Sequence, residues 1–470
     1  MNATAIALNR FGLGARPDEA MPGQPQPWLL GQFERYQPLP AAWANQSRTG
    51  AQLARFLDEQ RAVREAADAL KVAARQMRQR DAREAYVAAV GARTSAALET
   101  PAPFVERLVH FWANHFTVSV DKLPVVGLAG AFEADAIRPH VLGRFEDMLL
   151  AVTRHPAMLL YLDQANSIGP QSVAARRIAE RSGARQRGLN ENLAREIMEL
   201  HTLGVRSGYT QDDVTEFARA LTGWSIVGGP GAPPGGAMAV GVAGSEPADG
   251  GSFQYRPAIH EPGSRKILGR SYAESGDGQG QARAVLHDLA AAPATARHIA
   301  LKLARHFVAD QPPPAVVQRL AAAFERSAGD LPTLYRTLVE SPEAWKPGAA
   351  KFKTPWEWAV SGLRGLGRRE VPAPQMSGLM NQLGQPVWRP GSPAGFDDIS
   401  ASWAAPDALL RRVELAQRLA SQASAVDARE LAPRLLPGSL SDSTAQAIAR
   451  AESPASGLAL LLVSPEFLRR

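Results

Sequence analysis

Helical periodicity runs through almost the whole chain, and it is what most constrains the fold. Ala, Leu, Arg, Glu and Gln dominate, and runs of alternating β-branched residues are scarce. Such a chain buries its apolar stripes helix against helix. The pattern therefore predicts a mainly α protein, with one large multi-helix domain over residues 1–470 and one small β-hairpin insertion. A length of 470 residues would also accommodate two or three average domains. Hydrophobic residues make up 45% of the chain, which is enough for a sizeable core and excludes wholesale disorder.

Residues 51–99, rich in Ala and Arg, read as one long helix or a helical hairpin, ended by Pro101 and Pro103. Phe104–Phe116 begins the next helix. Others are expected at 129–138, 144–162, 189–203, 211–222, 279–291, 295–309, 314–327, 331–340 and 354–365, then at 406–421, 427–434, 441–451 and 456–463. Residues 226–252 are a low-complexity loop rich in Gly, Pro and Ala. After them, Phe253–Tyr255 and Arg265–Leu268 read as strands around the turn HEPGS, so 253–272 is the expected β-hairpin. A second loop, 170–188, sets Arg176, Arg177, Arg181, Arg185 and Arg187 against the single acid Glu180 and is a plausible anion-binding patch. The segments AVTRHPAM, LVESPEAW and LLVSPEFL echo one another, and a Pro soon after each helix end explains their spacing.

Several classes of function are excluded. No cysteine is present, so there are no disulfides, thiolate zinc sites or cysteine nucleophiles. A net charge of +6 is mild for this length and does not call for nucleic acid. The most apolar run, Leu458–Val463, is far short of the ~20 residues of a membrane span. The N-terminal MNATAIALNRFGLGARP lacks the basic start and long apolar core of a secretory signal, so a cytoplasmic location is expected. There is no P-loop and no GxSxG, and GLGA at 12–15 precedes Pro17 rather than a strand-to-helix turn.

The densest polar segment is LNENLAREIMELHTLGV, residues 189–205. On a regular helix, with Asn192 as reference, Glu196, Glu199 and Arg195 fall within roughly 60° of it and form one face. His201 falls almost opposite Glu199, so those two cannot share a metal on a regular helix. Glu196 and Glu199 could share a divalent cation, or act as an acid–base pair whose proximity raises one pKa. Equally, Arg195 could neutralise one of them in a structural ion pair.

The other helix of interest is FVERLVHFWANHF. His110 shares a polar face with Asn114, Glu106 and Arg107, and could meet Glu196 and Glu199 across the bundle as a third metal ligand. His115 falls on the apolar side, where a hydrogen-bonded core histidine is the ordinary reading. His260, in HEPGSRKILG, either caps a pocket or simply belongs to a polar turn. Asp212 and Asp213 are expected to cap the next helix.

ALNRFGLGARP near the start, HFWANHFTVS (110–119), YLD (161–163), NENLAREIMELHTLGV with GYTQDDVTEFARALTGW (190–224), FQYRPAIHEPGSRKILGRSY (253–272) and the terminal SPEF (464–467) together resemble the bacterial family known as domain of unknown function 1800. The resemblance runs through nearly the whole chain in order. It supports the fold, the boundaries and the choice of site, and brings little chemistry. Genes of that family commonly neighbour a family of exported, sulfatase-like proteins, which implies a sulfatase-like partner and a periplasmic or envelope location as the alternative.

Two functions compete. The first is an enzyme with a pocket between the 104–116 helix, the 189–203 helix and the hairpin. It would be a metal-assisted or acid–base hydrolase or transferase on an anionic or peptide substrate. Glu196, Glu199, Arg195 and His110 would be catalytic, and Asn192, His260, Arg176 and Arg177 would bind substrate. The second is a non-catalytic helical scaffold for the partner protein. An open pocket with unpaired carboxylates favours the first. Carboxylates locked to Arg195, with no cavity, favour the second.

Overall fold

Proline opens many of the helices. Pro103, Pro156, Pro293, Pro314, Pro355, Pro406 and Pro454 each stand at the first helical position, where a missing N–H leaves no hydrogen bond unmade. The computed structural model describes residues 1–180, 188–228, 252–274, 278–348, 351–423 and 425–470. They form a mainly α protein with two small two-stranded sheets.

The 51–99 stretch is a helical hairpin of α1 (Thr49–Glu65) and α2 (Lys71–Glu99) around a short turn at Asp68–Leu70. Its far end projects from the core, leaving Leu70, Val72 and Met77 exposed, while the second half of α2 is buried from Ala89 onward. Almost every residue of α3 (Pro103–His115) is buried. The expected 144–162 helix is broken into Phe145–Arg154 and Pro156–Tyr161. His155, preceding Pro156, takes an extended ψ of 134°, the usual consequence of a following proline ring. Its ring accepts a hydrogen bond from Ala157 N and caps the second piece.

The polar segment departs from a regular helix. Asn192–Glu196 is α-helical (α4), and Ile197–His201 then opens into a π-helical turn. Next comes α5 (Gln211–Leu221), whose cap is Thr210 rather than Asp212 or Asp213. Thr210 and Asp213 form a reciprocal capping box, and Asp213 also accepts a hydrogen bond from Leu268 N at 2.7 Å.

Four short strands follow: β1 (Trp224–Ile226), β2 (Phe253–Tyr255), β3 (Arg265–Ile267) and β4 (Arg270–Tyr272). The expected partnership of 253–255 with 265–268 is not made. β2 pairs antiparallel with β1, and β3 pairs with β4. The reason is local: Leu268 and Gly269 both have positive φ (51° and 77°), the geometry of a two-residue hairpin turn. β3 therefore folds back at once on β4. Most of the 226–252 loop lies outside the described residues.

The remaining helices that matter to the site are α6 (Pro293–Phe307) and α7 (Pro355–Gly365). A helix at Ala373–Gln382 was not expected from the sequence. One continuous apolar cluster runs from Ile6 to Leu468. Distant segments are tied across it, with Arg10 donating to Ala344 O at 2.6 Å and Arg470 pairing with Glu357 at 3.0 Å. Among the described residues no helix is long and apolar enough to cross a membrane.

Candidate functional site

α6 reads PATARHIALKLARHF and has two faces. Thr295, Ala296, Ile299, Ala300, Leu303 and Ala304 point into the core. Ala294, Arg297, His298, Leu301, Lys302 and Arg305, recurring every three or four residues, line a cavity of about 770 Å³. α3 contributes His110, Phe111, Asn114 and His115 to its wall. The chain after α4 adds Leu200, Leu203 and Gly204, and α7 adds Trp356 and Glu357. The segments at 385–388 and 394–399 close the rest.

A buried ion network forms part of that wall. Arg107 donates to Gly12 O at 2.6 Å and to His306 Nε2 at 3.3 Å, and pairs with Glu357. Arg470 pairs with the same Glu357. Because Arg107 can only donate, His306 Nε2 is an acceptor, and its proton lies on Nδ1, donated to Asp398 Oδ2 at 2.6 Å. Lys351 pairs with Asp398 at 3.0 Å. Burial pushes the Glu357 carboxyl up, but Arg107 and Arg470 outweigh it and bring its pKa down to about 2. Burial lowers His306 to about 4 despite Asp398. The histidine is therefore neutral and engaged at both nitrogens.

The π-turn organises two more histidines. A widened turn leaves carbonyls without a helical N–H. Leu200 O accepts from His298 Nε2 at 3.0 Å, and His201 O accepts from His115 Nε2 at 3.1 Å. Each ring's proton is thus held on Nε2, and each Nδ1 is left as a lone pair. His115 Nδ1 is buried and has no partner among the described residues. Burial, with the Lys302 charge second, lowers His298 to about 4 and His115 well below its ordinary value. His110 is the same tautomer with its lone pair engaged: its Nδ1 accepts from Trp356 Nε1 at 3.1 Å, so Nε2–H faces Glu106 Oε1 at 3.6 Å.

The cations of the wall divide into two groups. Arg93 is paired with Glu133 at 3.1 Å and lies over the rings of Trp356 and Trp388, and Arg107 is paired as described. On α6, Arg297, Lys302 and Arg305 have no ion-pair partner among the described residues; Arg305 donates only to the Asp310 carbonyl. Burial brings Lys302 down to about 8, with Asp398 opposing and Arg305 assisting.

The residues singled out in the sequence are scattered. His110 lines the cavity; Glu196 and Glu199 do not. Among the described residues no group of three His, Asp or Glu side chains is placed to hold a metal ion, so Glu196, Glu199 and His110 are not assembled as a ligand set. Glu196 is half-buried and its pKa is raised, by burial and then by Glu199. Arg195 pairs with neither acid; it lies 3.1 Å from Glu191 and donates to Gln211. Asn192 is exposed in an open surface depression with Asn166 and Asn190. Arg176 and Arg177 are exposed on the helix Val173–Ala179, and Arg181, Arg185 and Arg187 lie outside the described residues. His260 is buried against Thr222 O at 2.7 Å, away from the cavity.

The α6 stripe was readable in the sequence, since Arg297, His298, Lys302 and Arg305 recur at helical spacing. Asp398, Glu357 and Arg470 carried no local signal. Fold and site together define a mainly helical protein with a cavity walled by cations, histidines and the acids Glu357, Asp397 and Asp398. A family model described as "Protein of unknown function (DUF1800)" matches residues 6–469, and the chain belongs to that family. Neither a curated protein nor a solved structure matches it.

Proposed function

We propose that the α6 cavity is the catalytic site of an enzyme acting on an anionic substrate, as a hydrolase or transferase. The carrying observation is the α6 stripe. Arg297, Lys302 and Arg305 line one cavity without an ion-pair partner among the described residues, and the acid that acts on Lys302, Asp398, is already held by His306 and Lys351. Lys302 and Arg305 are half-buried and Arg297 is exposed, and an anion in the cavity offsets the partial desolvation of the first two. Phe111, Leu203, Leu301, Trp356 and Trp388 lower the local dielectric, so each charge acts more strongly on a bound group. The Nδ1 lone pairs of His115 and His298 are proton acceptors in the same wall.

The test is titration calorimetry with inorganic phosphate and sulfate, beside turnover of chromogenic phosphate, sulfate and carboxylate esters. Arg305→Gln weakens anion binding by about tenfold or more, the usual scale for one lost charged hydrogen bond. An Arg176→Gln/Arg177→Gln variant binds as the parent does. Binding that fails in the parent, or that ignores Arg305, overturns the anion reading; binding without turnover of any ester overturns the enzymatic one.

A further inference from the structure

Lys302 is the wrong residue for a plain charge in this chain. Only seven of its 52 Lys and Arg residues are lysines. Lys351 is locked between Asp310 and Asp398, and Lys353 is sealed against Ser361 and the Phe467 ring. Lys266 and Lys346 are exposed. Of the seven, Lys302 is the one on the cavity wall, flanked on its helix by Arg297 and Arg305 and without a hydrogen bond or ion pair among the described residues. A guanidinium stays charged at any physiological pH, whereas an ammonium can release its proton and expose a nucleophilic pair.

We propose that Lys302 is a reactive amine whose Nζ forms an imine with an anionic carbonyl compound, such as an oxo-acid or a phosphorylated aldehyde. The proposal rests on the anionic reading of the cavity and adds the electrophile. The Nζ lone pair attacks the carbonyl carbon, forming the C–N bond. The carbonyl π pair moves to oxygen, which takes a proton from nitrogen. The nitrogen lone pair then forms the C=N bond as the C–O bond breaks, and the hydroxyl takes the remaining nitrogen proton and leaves as water, giving the imine. No oxidant or co-reactant is needed.

Arg305, one turn along α6, and Arg297 are placed to hold the acid group. The aromatic and aliphatic lining limits water that would hydrolyse the product. Burial supports the same reading: it brings Lys302 down to about 8, against Asp398 and with Arg305, toward the range in which the free amine is accessible. Desolvation beside a second cation is a recognised way to activate a lysine.

The experiment exposes the full chain to pyridoxal 5′-phosphate, reduces with borohydride and maps the labelled peptides, with phosphate titration run in parallel. Lys302 is expected to be trapped faster than Lys266 and Lys346, by on the order of tenfold or more, while sealed Lys353 stays unlabelled. Lys302→Arg, checked for folding by circular dichroism, removes the fast label. Trapping of Lys302 no faster than Lys266, in protein that binds phosphate, overturns the amine and leaves the anion reading standing. Fast trapping in protein that binds no phosphate supports the amine and overturns the anion reading alone. The map of the unmodified protein decides even where a variant misfolds.

Discussion

Arg107 holds the N-terminal segment through Gly12 O, sets the tautomer of His306 and shares Glu357 with Arg470. None of this is legible locally, because Glu357 is 250 residues from Arg107 and 113 from Arg470. The composition could say that so many arginines include buried ones, but not which acid each meets. Glu357→Gln leaves two buried guanidiniums facing a neutral amide. Breaking a buried pair in this way costs about 3–5 kcal/mol, to be read by urea unfolding at pH 7; a loss under about 1 kcal/mol means that the network does not hold the wall. Its acid limb follows from the depressed pKa of about 2. The folded carboxylate resists protonation that the unfolded one accepts near 4.5. Its stabilisation is complete above that value and is lost as the pH falls toward 2, and the Gln variant lacks this part of the slope.

At the scale of elements, most long helices were legible from period, but not every proline start was: the expected 144–162 helix ran through the start at Pro156, and Ala373–Gln382 was not expected at all. Faces were legible wherever the helix stayed regular. The 189–205 segment fails the second condition. Placing Glu199 and His201 by 100° per residue holds only as far as Glu196, because Ile197–His201 is wound wider. The same turn is what presents Leu200 O and His201 O to the two cavity histidines. Gly204, just beyond the turn, has φ 90°, and a Cβ there would stand 2.8 Å from His298 Nδ1. Gly204→Ala thus meets both backbone strain and a blocked imidazole. The expected outcome is a loss of about 1–3 kcal/mol of stability and a displaced His298 ring signal in NMR, with the His260 signal unmoved. An unchanged His298 signal separates the turn from the histidine.

For the whole molecule, the mainly α class and the small hairpin were legible because period and proline act locally, while the cavity was not, because its wall draws on residues from Leu13 to Ile399. That assembly has a measurable consequence. Seven of the nine histidines, His110, His115, His140, His155, His201, His298 and His306, are shifted below the ordinary value of 6.5, in each case chiefly by burial. For His298 and His306 the shift reaches about 4, and for His155 and His201 about 3. Between 6.5 and those values the unfolded chain takes up protons that the folded chain refuses, so stability falls as the pH falls. One such histidine contributes a slope of about 1.4 kcal/mol per pH unit, and several act together. Urea midpoints measured from pH 7 to pH 5 should therefore drop more steeply than one histidine allows, before the carboxylates begin to titrate. Replacing His155, whose Nε2 meets Thr49 Oγ1 at 2.7 Å, by Gln should flatten the curve by about one proton. A stability that stays level from pH 7 to pH 5 would mean that these rings charge freely in the folded protein, His115, His298 and His306 of the cavity wall among them.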